Sequence, residues 1–173
     1  PDLAGYIVIE AEKAGTYRRL KEVGVSLHFM VHDILPINTP EMFPQGASKD
    51  FEAWLSAVCR VADSVICVTR AVSDELLLWL AGQNLDRISP LQVKWSHHGA
   101  NISASAPTND IPIDAKKILT KLSQRPTFLM VGTLEPRKGH LQTLAAFEQL
   151  WADGIEANLV IVGKEGWKGL PDK

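Results

Sequence analysis

Short apolar runs alternate with amphipathic stretches along most of the chain. The runs bounded by turn residues predict strands at residues 6–9, 26–31, 64–68, 91–95, 127–131 and 158–162. Between them, helical spacing predicts helices over 11–23, ending at Gly24, and over 48–62, capped by Ser48 with Asp50 and Glu52 in its first turn. Further helices are predicted over 72–81, which opens with Ser73, Asp74 and Glu75, and from a cap at Asp114 to Leu122. The last runs over 139–152 and carries Leu141, Leu144, Ala145 and Trp151 on one face. Residues 32–46, HDILPINTPEMFPQG, hold too many prolines and turn formers for regular structure and read as a loop.

Strands alternating with helices of this length make βα units and parallel sheets, so the fold class is α/β. Residues 99–113, GANISASAPTNDIPI, are polar and aperiodic and read as a linker. The chain therefore divides into a domain over 1–100, a linker over 101–113 and a second domain over 114–173. Four predicted strands precede the linker and two follow it. Two parallel strands cannot bury both their faces, and the chain opens on Pro1 rather than Met. Both domains are expected to be incomplete.

Composition narrows the function classes. The 173 residues carry a net charge of −2, without the basic face expected of a nucleic-acid-binding protein. No apolar run reaches the roughly 18 residues that a membrane span needs. Cys59 and Cys67 lie in apolar stretches without metal or CxxC spacing and read as reduced core residues of a cytosolic protein. His97 and His98 are adjacent at a strand end, so their side chains point opposite ways, and no third ligand is near in sequence; no metal site is expected. His28, within a strand, reads as packing, as do Trp54, Trp79 and Trp151 on helices.

Ligands of open parallel sheets bind at the carboxyl ends of the strands, and two segments there carry chemistry. In VGTLEPRKGHLQTL, the strand ends at Gly132 and a helix starts near Gly139. The helix start carries Arg137, Lys138 and His140 where the dipole favours acids; each misplaced charge costs ~0.3–1 kcal/mol at an exposed site. The helices near Ser48, Ser73 and Asp114 begin with acids, so the contrast points to an anion, held by backbone N–H groups, dipole and basic side chains together. Gly139 would let the backbone approach it closely. The structural alternative is that Glu135 pairs with Arg137 and the rest is solvated surface. In the second segment, SLHFMVHDILPI, His32 and Asp33 follow a strand. On the residues alone His32 reads as a strand-end histidine bonded to its own loop.

GTLEPRKGH, followed by an amphipathic helix and NLVIVGKEGW, resembles the start of the C-terminal domain of retaining GT-B glycosyltransferases, above all the group 1 bacterial mannosyl- and rhamnosyltransferases of surface polysaccharide synthesis. The strand leading to His32 and Asp33, the segment ADSVICVTRAVSDELLLWL and HHGAN resemble the N-terminal domain of the same enzymes. The resemblance implies two Rossmann-like domains facing each other across a cleft. It implies that Lys138 binds the donor diphosphate, with Gly132, Thr133, Arg137 and Gly139 around it, and that His32 contacts the donor's sugar and phosphate. Lys138 and His32 are thus the residues expected to carry catalysis; Asp33, Thr69 and Trp167 are candidates for the cleft wall. Many members carry an arginine directly after the strand glycine. This chain has Thr133 there, and Arg137 is the residue available to replace it.

The implied reaction moves a hexose, mannose first, from a nucleotide-sugar donor such as GDP-mannose to a glycan or lipid-linked glycan. It proceeds with retention and without metal or other cofactor, in the cytoplasm or peripherally at the inner face of the plasma membrane. No DxD-like acidic pair accompanies the stretch. The family's downstream pair of glutamates, eight residues apart, is not within this chain. Alternative readings are an inactive fragment or non-catalytic nucleotide-sugar-binding module, and a GT-B epimerase or phosphorylase.

Overall fold

A computed structural model describes residues 3–87, 89–101 and 111–166. The chain divides into two compact units, Pro1–Ala100 and Asn101–Lys173.

In the first unit, helices α1 (Leu3–Lys13) and α2 (Thr16–Glu22) precede strand β1 (His28–Val31). A one-turn helix α3 (Leu35–Asn38) and a 3₁₀ turn (Pro40–Met42) lead to α4 (Ala47–Val61), β2 (Ser64–Cys67), α5 (Arg70–Ala81) and β3 (Gln92–Trp95). The strands form a parallel sheet in the order β1-β2-β3, with His28 opposite Ser64 and Ser64 opposite Gln92. Central β2 is buried at Ser64, Val65 and Cys67, the pattern of a parallel strand covered on both faces. Around it Val31, Ile34, Leu55, Val58, Cys59, Ala62 and Leu76 form one core, against which Trp54 and Trp79 pack. Cys59 and Cys67 are free and buried.

Several sequence expectations fail here for identifiable reasons. Residues 6–9 belong to α1, so the first sheet has three strands among the described residues rather than four. The YIVI run suits a strand by composition, but α1 packs on α4, where Arg60 pairs with Glu12 at 2.5 Å. Tertiary contact outweighs that weak local preference. The single helix predicted over 11–23 is interrupted at Gly15, whose φ of 68° is left-handed. The predicted loop 32–46 holds α3 and the 3₁₀ turn, because Pro36 and Pro40 sit at helix starts, where a missing N–H costs nothing. Ser48 lies inside the first turn of α4, which begins after Gly46 without a side-chain cap. Helix α5 starts at Arg70 rather than near Val72, because the Thr69 hydroxyl accepts the Val72 N–H at 3.2 Å.

In the second unit, α6 (Ala115–Leu122), β4 (Thr127–Val131), a 3₁₀ turn (Pro136–Lys138), α7 (His140–Ala152) and β5 (Asn158–Val162) follow one another. Strands β4 and β5 pair in parallel from Thr127 opposite Asn158 to Val131 opposite Val162. Phe147 of α7 is buried edge-on against Phe128 of β4, with ring centroids 5.3 Å apart. That contact turns His140 and Phe147 inward and leaves Leu141, Leu144 and Trp151 exposed, a different face from the one the spacing predicts. Trp151 is not core: it is 44% exposed and donates its indole N–H to the Ala157 carbonyl. Asp114 is the N-cap residue of α6 but makes no side-chain capping bond. Residues 102–110 of the expected linker lie outside the described residues. Among the described residues, no helix is long and apolar enough to cross a membrane.

Candidate functional site

At the carboxyl ends of β4 and β5 the backbone pairing continues into the loops. Gly132 N–H donates to Val162 O at 2.9 Å, Leu134 N–H to Lys164 O at 2.8 Å and Gly166 N–H to Leu134 O at 3.1 Å. The two loops are thereby laid on each other with no room between them. A Cβ on Gly163 would stand 1.8 Å from the Gly132 carbonyl oxygen, and one on Gly166 would stand 2.6 Å from that of Leu134. Neither glycine is among the predicted site residues; Gly163 directly after the strand and Gly166 three residues further on, in VGKEGW, are the available signal.

The chain then passes Glu135, makes the 3₁₀ turn through Lys138 and enters α7 through Gly139, whose φ is 71°. A Cβ there would meet nothing closer than Gln142 Oε1 at 3.8 Å. The left-handed backbone by itself requires glycine at Gly139. No side chain caps α7, so its first-turn amides project beyond the helix end. Lys138 is exposed, and among the described residues no carboxylate pairs with it. Its Cδ lies 4.0 Å from where a Cβ on Gly132 would be, so the lysine stem runs over that glycine.

Arg137 is placed differently. Its Nη2 is 2.6 Å from Glu135 Oε1, and Glu135 is 2% exposed. The charges touch without the alignment of a hydrogen bond. This is the pairing that the structural alternative named. A guanidinium has five donors, so one carboxylate contact orients Arg137 without exhausting it. Thr133 is exposed beside this turn, and His140 is buried with neither ring nitrogen hydrogen-bonded among the described residues.

The helix-start contrast drawn from sequence shrinks in the structure. Helix α5 begins with Arg70 and no acid in its first turn, and α6 has no acid there either. Basic residues at a helix start are thus not peculiar to α7. What sets this turn apart is its position at the carboxyl ends of parallel strands with Lys138 over Gly132.

In the first unit, His32 is the first residue past β1 and is exposed. The Asp33 carboxylate accepts the Leu35 N–H at 3.1 Å and so opens α3, and Thr69 caps α5; both side chains have local structural work. Past β3, His97 packs its ring against Trp95 with centroids 5.2 Å apart. His98 instead stacks on His32, with centroids 5.3 Å apart and planes 28° from parallel. His28 is exposed rather than packed and meets the Ser64 hydroxyl through Nδ1 at 2.7 Å. Trp167 lies outside the described residues.

The architecture is α/β with parallel sheets flanked by helices, and residues 113–170 match the family of glycosyl transferases group 1. The second unit is thus similar to a segment of the group 1 glycosyl transferases. Three proteins of Escherichia coli, each a serotype-specific mannosyltransferase WbdA, are 44% identical to the chain over 150 or 151 residues. The match covers 86% of this chain and 18% of each relative. The chain therefore spans less than a fifth of the length of the curated relatives it matches. No solved structure matches it.

Proposed function

We propose that this chain belongs to a glycosyltransferase that moves mannose from a nucleotide sugar, GDP-mannose, to a glycan or lipid-linked glycan acceptor in surface polysaccharide synthesis. The transfer proceeds with retention and without a metal, at the cytoplasmic face of the membrane. The observation that carries this reading is the Lys138 side chain, unpaired among the described residues and lying over Gly132 at the carboxyl end of β4. The similarity to mannosyltransferases supports the sugar.

Breaking a sugar–phosphate bond leaves a growing negative charge on the diphosphate. Lys138, the first-turn amides of α7 and the hydroxyl of Thr133 are the groups that would stabilise it, which is electrostatic stabilisation of the transition state. Arg137 adds charge from its post on Glu135. His32 contacts the donor's sugar and phosphate. The test is Lys138→Ala in the full-length protein, assayed with GDP-mannose. Turnover should fall by roughly two orders of magnitude or more, as for loss of one strong stabilising group, with an unchanged melting profile. Unchanged turnover would remove the phosphate assignment. Loss of turnover on EDTA treatment would remove the metal-free mechanism.

A further inference from the structure

His98 Nε2 lies 3.5 Å from His32 Nδ1, and the two rings stack. They come from strands that are not neighbours, since β2 lies between β1 and β3. The β3 segment stays paired to β2 through Ser96, whose N–H donates to Cys67 O at 2.9 Å. The next two residues then diverge: His97 turns to Trp95 and His98 to His32. Among the described residues neither imidazole of the stacked pair has another hydrogen-bond partner. Both residues are exposed.

Which nitrogen of a histidine carries the proton is set by the partner of the other nitrogen. A ring nitrogen that contacts an ionised phosphate must present an N–H to it, because the phosphate oxygens only accept. For His32 that nitrogen is Nε2, because Nδ1 faces His98. We propose that His98 is a positioning residue for His32: its Nε2–H is directed at His32 Nδ1, holds the ring over the sheet edge and keeps the His32 proton on Nε2, toward the donor. This rests on the reading of His32 given above.

The experiment uses the full-length protein with GDP-mannose and three variants. His98→Phe keeps a stacking ring without the nitrogen. His98→Gln keeps a side-chain N–H without the aromatic stack. His32→Ala tests the underlying reading. His98→Phe should lower kcat on the order of 10- to 100-fold, the scale of a misplaced reacting group, with KM for the donor little changed. His98→Gln should recover kcat to within about fivefold of the unaltered protein. His98→Phe at full kcat overturns the proposal, and so does His98→Gln as slow as His98→Phe, since both outcomes leave His98 a packing role. If His98→Phe fails to give the native circular dichroism, His98→Leu replaces it as the form without an N–H; if His98→Gln fails, His98→Asn replaces it as the N–H-bearing form, and an N–H-bearing variant no faster than the form without one overturns the proposal. Full activity of His32→Ala, or no turnover of GDP-mannose by the unaltered protein, removes the reading beneath it.

Discussion

Arg137 reaches back two residues to the Glu135 carboxylate, 2.6 Å away, although the carboxylate is almost wholly withdrawn from water. A buried charge is tolerated when a partner of opposite charge accompanies it. The turn that holds Lys138 is therefore built around an ion pair with one member inside and one at the surface.

Removing the arginine alone should be costly. Arg137→Ala leaves Glu135 buried and uncompensated. The loss should be on the order of 2 kcal/mol, below the ~3–5 of a fully buried pair because Arg137 remains partly hydrated. The double variant Glu135→Gln with Arg137→Ala should recover much of it, since the amide carries no charge. Urea denaturation of all forms checks this. Equal losses in single and double variants would mean that the pair does not anchor the turn.

The two kinds of glycine in this region should respond differently. At Gly139 an alanine meets no clash and suffers only the left-handed backbone, about 1–2 kcal/mol. At Gly163 an added Cβ would collide with the Gly132 carbonyl at 1.8 Å, so the β4 and β5 loops must part. Gly163→Ala should therefore destabilise more than Gly139→Ala and also displace the strand end beneath Lys138. Melting temperatures of the two variants, compared side by side, decide the order.

The element bounds of the second unit were legible in the sequence almost residue for residue, though not the buried face of α7, because β4, β5 and α7 announce themselves by period, length and flanking glycines. It misread the amino-terminal region. YIVI has strand composition, yet its place in α1 follows from packing on α4, a contact between residues about 48 apart such as Glu12 and Arg60. Proline breaks a helix from within, but Pro36 and Pro40 of residues 32–46 stand at helix starts, where it is tolerated. The placement of the motif residues was legible: Lys138 and His32 both follow the carboxyl ends of parallel strands. The partners were less so. The pairing of Glu135 with Arg137 was visible as an alternative, whereas the stacking of His98 on His32 joins loops 66 positions apart and has no local signature.

Asp63 links stability to pH. Its carboxylate accepts the Leu27 N–H at 2.8 Å and pairs with Lys21 at 2.9 Å. The Leu27 hydrogen bond, then Lys21, holds its pKa below the ordinary carboxylate range. A folded-state pKa below the unfolded value of about 3.9 means stability present above that value and lost as pH falls through the folded pKa. Asp63→Asn removes the charge, so the stability difference between the unaltered protein and the variant should be present at neutral pH and shrink below about pH 4. Denaturant titrations at pH 7, 5 and 3 test this. A difference that stays constant down to pH 3 would show that the carboxylate charge contributes nothing.

Cys59 and Cys67 permit a test of the first unit's core without an assay for function. Cys59 is fully buried on α4 in the core that surrounds β2, and burial pushes its thiol pKa up to about 12; burial raises that of Cys67 as well. The thiolate is the reactive form, so at neutral pH both groups are protonated and shielded together. In native protein neither should react with an aromatic disulfide reagent on the time scale of a free thiol. Both should react at once in denaturant, and the labelling rate in native buffer should then report opening of the core rather than thiol chemistry. Raising the pH from 7 to 9 tells two regimes of opening apart: where labelling outpaces reclosing, the rate is that of opening and does not change with pH. If the core must open first and recloses faster than it is labelled, the rate rises with the reagent's chemistry on an exposed thiol while remaining orders of magnitude below it. Prompt labelling of either cysteine at pH 7 would mean that the core formed with Leu55, Val58 and Leu76 is not closed.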